Sequence, residues 1–205
     1  MTDSVMPTYG LRDIAFDRGE GVYLIDTAGR RFLDCGSGIA VTSVGHAHPH
    51  LVQALKAQAE KVWHTSNLYE IPGQKQAAKR LTDNSFADLV FFCNSGAEAN
   101  EAMIKIIRKG MAAKGHPEKH HIITIEGAFH GRTLGTLAAG NNPKHLEGFG
   151  PKVEGFDHVP FGNLNALRDA IGPLTAGVII EPVQGEGGIR AMDIEYIKGV
   201  RAACD

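Results

Sequence analysis

Leu89-Val90-Phe91-Phe92-Cys93-Asn94-Ser95-Gly96-Ala97-Glu98-Ala99-Asn100-Glu101 reads as a buried strand that turns directly into a helix. The first five residues are apolar, and their β-branched and aromatic side chains favour a covered, pleated surface. Beyond the turn, Met103, Ile106, Ile107 and Met111 recur on one helical face. Asn94 or Ser95 suits the N-cap, and Glu98 follows Ser95 at capping-box spacing. A strand that runs into a Ser-Gly-Ala helix start leaves several backbone N–H groups unpaired and pointing one way. Such a start attracts an anion by about 0.3–2 kcal/mol per favourable charge. The turn therefore reads either as plain structure or as a phosphate site. It matches neither the G-x-x-x-x-G-K-[ST] loop nor the G-x-G-x-x-G loop, so a bound phosphate would belong to neither ATP nor NAD.

The surrounding composition narrows the choice. The chain has 205 residues, 43% of them hydrophobic, enough for one good-sized core. A net charge of −2, with 21 Lys and Arg against 23 Asp and Glu, gives no reason to expect nucleic acid or an anionic membrane as partner. Met1–Pro7 has neither an apolar core nor a run of Arg, so no secretory signal or transit peptide is expected. No apolar run reaches the ~18 residues of a membrane span. Cys35, Cys93 and Cys204 are odd in number and scattered, as reduced thiols of a cytoplasmic protein would be.

Along the chain, residues 1–15 look irregular. Gly21–Asp26, a Thr27-Ala28-Gly29-Arg30 turn and Arg31–Cys35 then predict a β-hairpin. The glycine-punctuated segment Gly36–His46 is too apolar for a solvent loop and suits the lining of a cavity or interface. Pro49 opens a helix carrying Leu51, Val52, Leu55, Ala59 and Val62, and a second helix follows Pro72. His46, His48 and His50 alternate before the first of these. Pro49 interrupts them and no carboxylate or cysteine completes a ligand set, so no metal is expected and His48 is read as a helix cap. From Leu89 the pattern alternates strand and helix: strands at Leu89–Cys93, His121–Glu126 and Gly177–Glu181, helices at Leu164–Ile171 and from Ile194 to about Cys204, and a loop at Gly140–Phe161. This predicts an α/β fold, a mostly parallel sheet with helices on both faces.

In such sheets ligands bind beyond the carboxyl ends of the strands. Asn94–Asn100, Gly127–Arg132 and Gln184–Gly188 each follow one of the three strands, so parallel strands would bring them to one edge. The first supplies N–H groups and the Ser95 hydroxyl for a phosphate. The second supplies Phe129, held between Gly127 and Gly131, to stack on a planar ring, with Arg132 for a carboxylate. His130 beside it reads as a structural hydrogen-bonding group or as a general base. The third places Glu186 between glycines, either in a solvated turn or in the site. Phosphate, planar ring and carboxylate together describe pyridoxal phosphate holding an amino acid.

Asn94-Ser95-Gly96-Ala97-Glu98-Ala99-Asn100, Ala128-Phe129-His130-Gly131-Arg132-Thr133 and Glu181-Pro182-Val183-Gln184-Gly185-Glu186-Gly187-Gly188 resemble the class III aminotransferases. Gly38-Ile39-Ala40-Val41 and Gly45-His46-Ala47-His48-Pro49 look most like the branch that acts on acetylornithine. The resemblance implies a fold-type I homodimer using pyridoxal 5'-phosphate, acting on a small amino acid and a 2-oxo acid in the cytoplasm. It implies that Ser95, Gly96 and Ala97 bind the cofactor phosphate and that Phe129 stacks on the ring. It further implies that Arg132 takes the donor's α-carboxylate and that Glu186 holds a substrate-binding arginine in check. Many relatives carry Thr in place of Ala97, a change that leaves the backbone N–H in place. Residues 1–62 would be an N-terminal segment of the small domain and 63–205 the first part of the cofactor-binding domain.

A pyridoxal enzyme also needs a Schiff-base lysine and an acid facing the pyridine nitrogen. In the family both follow the part that this chain resembles, and Lys198 lies in a helix rather than at a strand end. The catalytic lysine is therefore expected beyond Asp205, and the chain by itself is expected to be inactive. The alternatives are another class III donor (ornithine, succinylornithine, 4-aminobutyrate or succinyl-diaminopimelate) and a non-catalytic α/β module.

Overall fold

The structure, a computed structural model, describes residues 4–10 and 13–205. Residues 1–3 and 11–12 of the segment expected to be irregular lie outside the described residues. The chain divides into two compact units, one ending at Phe86 and one running from Ala87 to Asp205. This contact boundary lies 24 residues beyond the cut expected after residue 62.

In the first unit, strands β1 (Phe16–Glu20), β2 (Tyr23–Asp26) and β3 (Arg31–Leu33) form an antiparallel sheet in that order. The expected hairpin is β2–β3, and β1 adds a third strand that the sequence did not announce. Asp26 fastens the hairpin turn: its carboxylate accepts from the backbone N–H groups of Ala28 and Arg30 at 3.0 and 2.7 Å and from Arg30 Nε at 2.6 Å. Helix α1 (Ser37–Ala40) is one turn whose residues all have left-handed φ, and Ile39 on it is 90% exposed. Helices α2 (Pro49–Ala59) and α3 (Pro72–Asp83) both begin on proline, whose fixed φ and missing N–H suit a first turn. His48 stands at the N-cap of α2 but makes no capping bond with its side chain. His46 Nε2 is instead 2.7 Å from Asp34 Oδ2, and that contact, more than the Ser37 and Gly36 amides, holds the Asp34 carboxyl below its ordinary range.

The second unit holds helix α4 (Gly96–Ala113), strand β4 (His121–Ile125), helices α5 (Leu134–Gly140) and α6 (Pro143–Leu146), strand β5 (Phe156–Val159) and helix α7 (Leu164–Ala170). Strand β6 (Thr175–Ile179), the short pair β7 (Val183–Gln184) and β8 (Arg190–Ala191), and helix α8 (Ile194–Cys204) complete it. β5, β4 and β6 form a sheet in that order, and both pairings are parallel. Alternation along β4 supplies both faces, as a two-residue period requires. Ile122 packs with Ile104 of α4, Ala138 and Ala139 of α5, Phe156 and Ile179. Ile123 and Ile125 pack on the other side with Val159, Leu167 of α7, and Met192, Tyr196 and Val200 near and on α8. The expected parallel sheet with helices on both faces is therefore observed.

Two expectations are corrected. β5 and α6 lie inside Gly140–Phe161, where glycine, asparagine and proline suggested only loop. The reason is tertiary: Phe156 and Val159 are buried because β4 needs a neighbour on that side. Conversely, Leu89–Cys93 forms no strand, and Leu89 and Phe91 are 89% and 67% exposed. A strand exists only where a second backbone completes its ladder, and no described strand pairs with this segment. The buried face of α4 is also shifted: Ile104 is buried, whereas Met103 and Ile106 face out. Cys35, Cys93 and Cys204 are free thiols, and no described helix is long and apolar enough to cross a membrane.

Leu167 is fully buried against Ile123, Ile125 and Val159. Leu167→Ala is expected to cost about 2–5 kcal/mol of stability by cavity formation, read as a lower urea midpoint with an unchanged slope.

Candidate active site

Because β4 and β6 are parallel neighbours, the loops that follow them leave the sheet at the same edge. Two bonds fasten those loops together, and a third braces the second loop. The Phe129 backbone N–H donates to Glu181 Oε2 at 3.2 Å, across 52 residues of sequence. Gln184, fully buried, donates from Nε2 to the Glu126 carbonyl at 3.1 Å and accepts from Arg190 Nη2 at 2.6 Å. Gly127, at φ +81°, has space for no side chain: a Cβ there would lie 2.5 Å from Arg190 Nη2 and 3.2 Å from Gln184 Oε1.

The start of α4 reaches the same edge by a different route. Gly131, at φ +129°, passes so close to it that a Cβ would lie 2.7 Å from Ala97 Cβ and 2.9 Å from Ala97 Cα. The Thr133 hydroxyl donates to Glu101 Oε1, tying the first turns of α4 to the start of α5. Thr133 also caps α5 through a reciprocal bond pair with Thr136. Together these contacts line an open cleft of about 300 Å³ with Gly96, Ala97 and Asn100 on one side and Phe129, His130, Gly131 and Arg132 on the other.

The helix start in this cleft is capped as its sequence suggests, with one difference. Ser95 is the N-cap, and its hydroxyl accepts from the Glu98 N–H at 3.2 Å. Glu98 does not reach back to Ser95 N–H but to the backbone and side chain of Asn94, at 2.5 and 3.3 Å. The Asn94 amide, backbone first, holds its carboxyl below the ordinary range. The N–H groups of Gly96 and Ala97 have no partner among the described residues, as the first turn of a helix leaves them. The Phe129 ring is 36% exposed. The Arg132 guanidinium lies 5.6 Å from its centroid and donates from Nη2 to His145 Nε2 at 3.3 Å.

Of the residues singled out from sequence, Gly96, Ala97, Phe129 and Arg132 share this cleft, and Ser95 stands beside it as the cap. Glu186 does not join them: it is exposed in the turn between β7 and β8, without a hydrogen-bond or ion-pair partner among the described residues. His130 is 4% exposed, and its Nε2 has no partner. Burial, and secondarily the nearby His158, pushes its imidazole below the ordinary range. Sequence reasoning passed over Glu181, Gln184, Arg190 and His145. Glu181 was read as the last residue of a strand and as part of the third motif, with no role of its own. Its carboxyl is raised by burial against the opposing Phe129 amide, and nothing local in the sequence signals that bond.

Comparison with known proteins gives consistent relatives. The family model Aminotransferase class-III matches residues 7–205. The acetylornithine aminotransferase of Agrobacterium fabrum is 62% identical over 198 residues, covering 97% of this chain and 50% of the relative. Among solved structures, the N-acetylornithine aminotransferase of Stenotrophomonas maltophilia superimposes with a TM-score of 0.80 at 38% identity, covering 95% of this chain and 48% of that one. The ornithine aminotransferase of Toxoplasma gondii superimposes at 0.92 with 28% identity, covering 98% and 48%, and one structure of it is described as having partial occupancy of PLP at its active site. The chain spans about half the length of the curated relatives it matches.

Two outcomes follow from this geometry. Gly131→Ala must push the Phe129 loop away from Ala97, and is expected to lower stability by about 1–3 kcal/mol, seen as a reduced Tm. Separately, a neutral folded His130 means that the unfolded chain binds more protons below the ordinary imidazole pKa of about 6.5. Stability should therefore fall as pH drops from neutrality through that range and level off below the depressed folded value. His158, also depressed chiefly by burial, adds to the slope. His130→Asn should flatten the pH dependence of Tm in part, and His130→Asn with His158→Asn further.

Proposed function

Because the chain belongs to the class III aminotransferase family, we propose that it is part of an enzyme that transfers the terminal amino group of N2-acetyl-L-ornithine to 2-oxoglutarate. The products are N-acetylglutamate semialdehyde and glutamate. The carrying observation is the cleft in which two unpartnered helix-start amides, an accessible aromatic face and a guanidinium converge. The 62% identity to a protein named acetylornithine aminotransferase supports the choice of donor.

The donor set suits pyridoxal 5'-phosphate. The Gly96 and Ala97 N–H groups, with Ser95 and the positive end of α4, match a phosphate dianion. Phe129 offers a flat apolar face of the size of a pyridine ring. When bound, the cofactor supplies an electron sink that eases removal of a proton from the carbon bearing the amine. The chain's own residues bind and orient. Arg132 takes the α-carboxylate in a charge-assisted, two-point contact that fixes one end of the donor and directs the terminal amine inward. Glu186 holds a substrate-binding arginine in check when the second substrate alternates with the first. We expect the whole enzyme to work as a cytoplasmic homodimer on small molecules, without nucleic acid or membrane.

A second reading is transamination of ornithine itself, favoured by the higher superposition score of the Toxoplasma enzyme. Backbone similarity reports the shared fold, whereas side-chain identity reports what lines the site, so acetylornithine is preferred. No lysine lines the cleft, and Lys198 is engaged with Glu195 on α8 at 2.8 Å.

The 205-residue chain alone, given acetylornithine, 2-oxoglutarate and pyridoxal phosphate, should yield no glutamate above a blank; steady turnover would refute this. In the full-length enzyme, Arg132→Ala should raise the KM for acetylornithine roughly 10- to 100-fold while changing cofactor affinity far less. An unchanged KM would remove Arg132 from the site, and kinetics with ornithine as donor would rank the second reading.

A further inference from the structure

We propose that His145 is a positioning residue that aims Arg132 at the substrate carboxylate; this rests on the carboxylate role proposed for Arg132. Its place is built by a short run of local signals. Asn141 ends α5 in the left-handed conformation, at φ +52°. Asn142 then caps α6 by accepting from the Lys144 N–H at 3.0 Å, and Pro143 occupies the first turn. Lys152 clamps the corner from outside, donating to Asn141 Oδ1 at 2.9 Å. The one-turn helix so formed points His145 back at the loop after β4, where it is half-buried.

There it makes two contacts. Nε2 is 3.3 Å from Arg132 Nη2, and the imidazole meets the Phe129 ring edge-on, with centroids 6.1 Å apart and planes at 83°. The direction of the polar contact is forced: a guanidinium has donors and no acceptor, so His145 Nε2 accepts and its proton sits on Nδ1. Phe129, Arg132 and His145 thus form a closed triangle, with the cation 5.6 Å from the Phe129 centroid. A free arginine side chain loses much rotamer entropy when it must meet a ligand in one geometry. His145 removes part of that loss in advance, using one guanidinium nitrogen and leaving the other donors for a carboxylate.

The test measures binding of N2-acetyl-L-norvaline, which keeps the donor's carboxylate and lacks its terminal amine, to the cofactor-loaded full-length protein by calorimetry. His145→Ala and His145→Phe should each weaken binding roughly tenfold, the Phe variant retaining the ring but not the acceptor. His145→Gln, whose side-chain carbonyl can accept, should stay within about threefold of the wild type. Pyridoxal phosphate affinity should change by less than about twofold in the Phe variant, which keeps a ring against Phe129 and loses only the acceptor for Arg132. Wild-type affinity in the Phe variant, or a Gln variant as weak as Ala, would overturn the inference. Arg132→Ala that binds acetylnorvaline as tightly as wild type would overturn the carboxylate reading itself, and this inference with it.

Discussion

The close approach of Gly131 to Ala97 is the contact on which the rest of the cleft depends. A helix start and a strand-end loop can share a ligand only if their backbones come within a few ångströms, and a side chain on Gly131 would fill the gap. The left-handed φ of +129° at this position is open to glycine at little cost and strained for other residues. Once the two backbones touch, Glu101 reaches Thr133, α5 is capped, and Phe129 and Arg132 face the unpaired amides of α4. The Glu181 and Gln184 bonds then hold the loop from the sheet side.

None of the residues lining the cleft carries a carboxylate, and the carboxylates near it are engaged elsewhere. Glu98 is occupied by the Asn94 amide, Glu101 by a hydroxyl, and Glu181 by the Phe129 amide. What remains facing the space is positive or neutral: helix-start N–H groups, a guanidinium and an aromatic face.

His130 and His145 show how two imidazoles beside one loop diverge. His130 is buried with an unpartnered Nε2 and is kept neutral by its surroundings. His145 sits on a one-turn helix with its Nε2 in use. The first lines the cleft from within the packed loop, the second braces Arg132 and Phe129 from behind, and only their tertiary neighbours distinguish them.

Much of this was legible in the residues. The parallel α/β architecture followed from alternating apolar runs, the α4 cap from Ser95, and the meeting of Gly96 and Ala97 with Phe129 and Arg132 from the placement of polar, glycine-rich loops after apolar runs. Their reasons are local or periodic, so a linear reading can reach them. Leu89–Cys93 was misread because strand propensity is a preference for a covered pleat, and whether a partner strand exists is not written in the segment itself. β5 was missed for the converse reason: a neighbour's need for a ladder overrode a loop-like composition. Glu181, Gln184 and His145 were passed over because hydrogen bonds spanning 52, 58 and 13 residues leave no mark at either end. The sequence by itself determined which chemical groups stand at the strand ends. Tertiary structure alone decided which of them meet, because only packing sets the distance between two loops that each look complete.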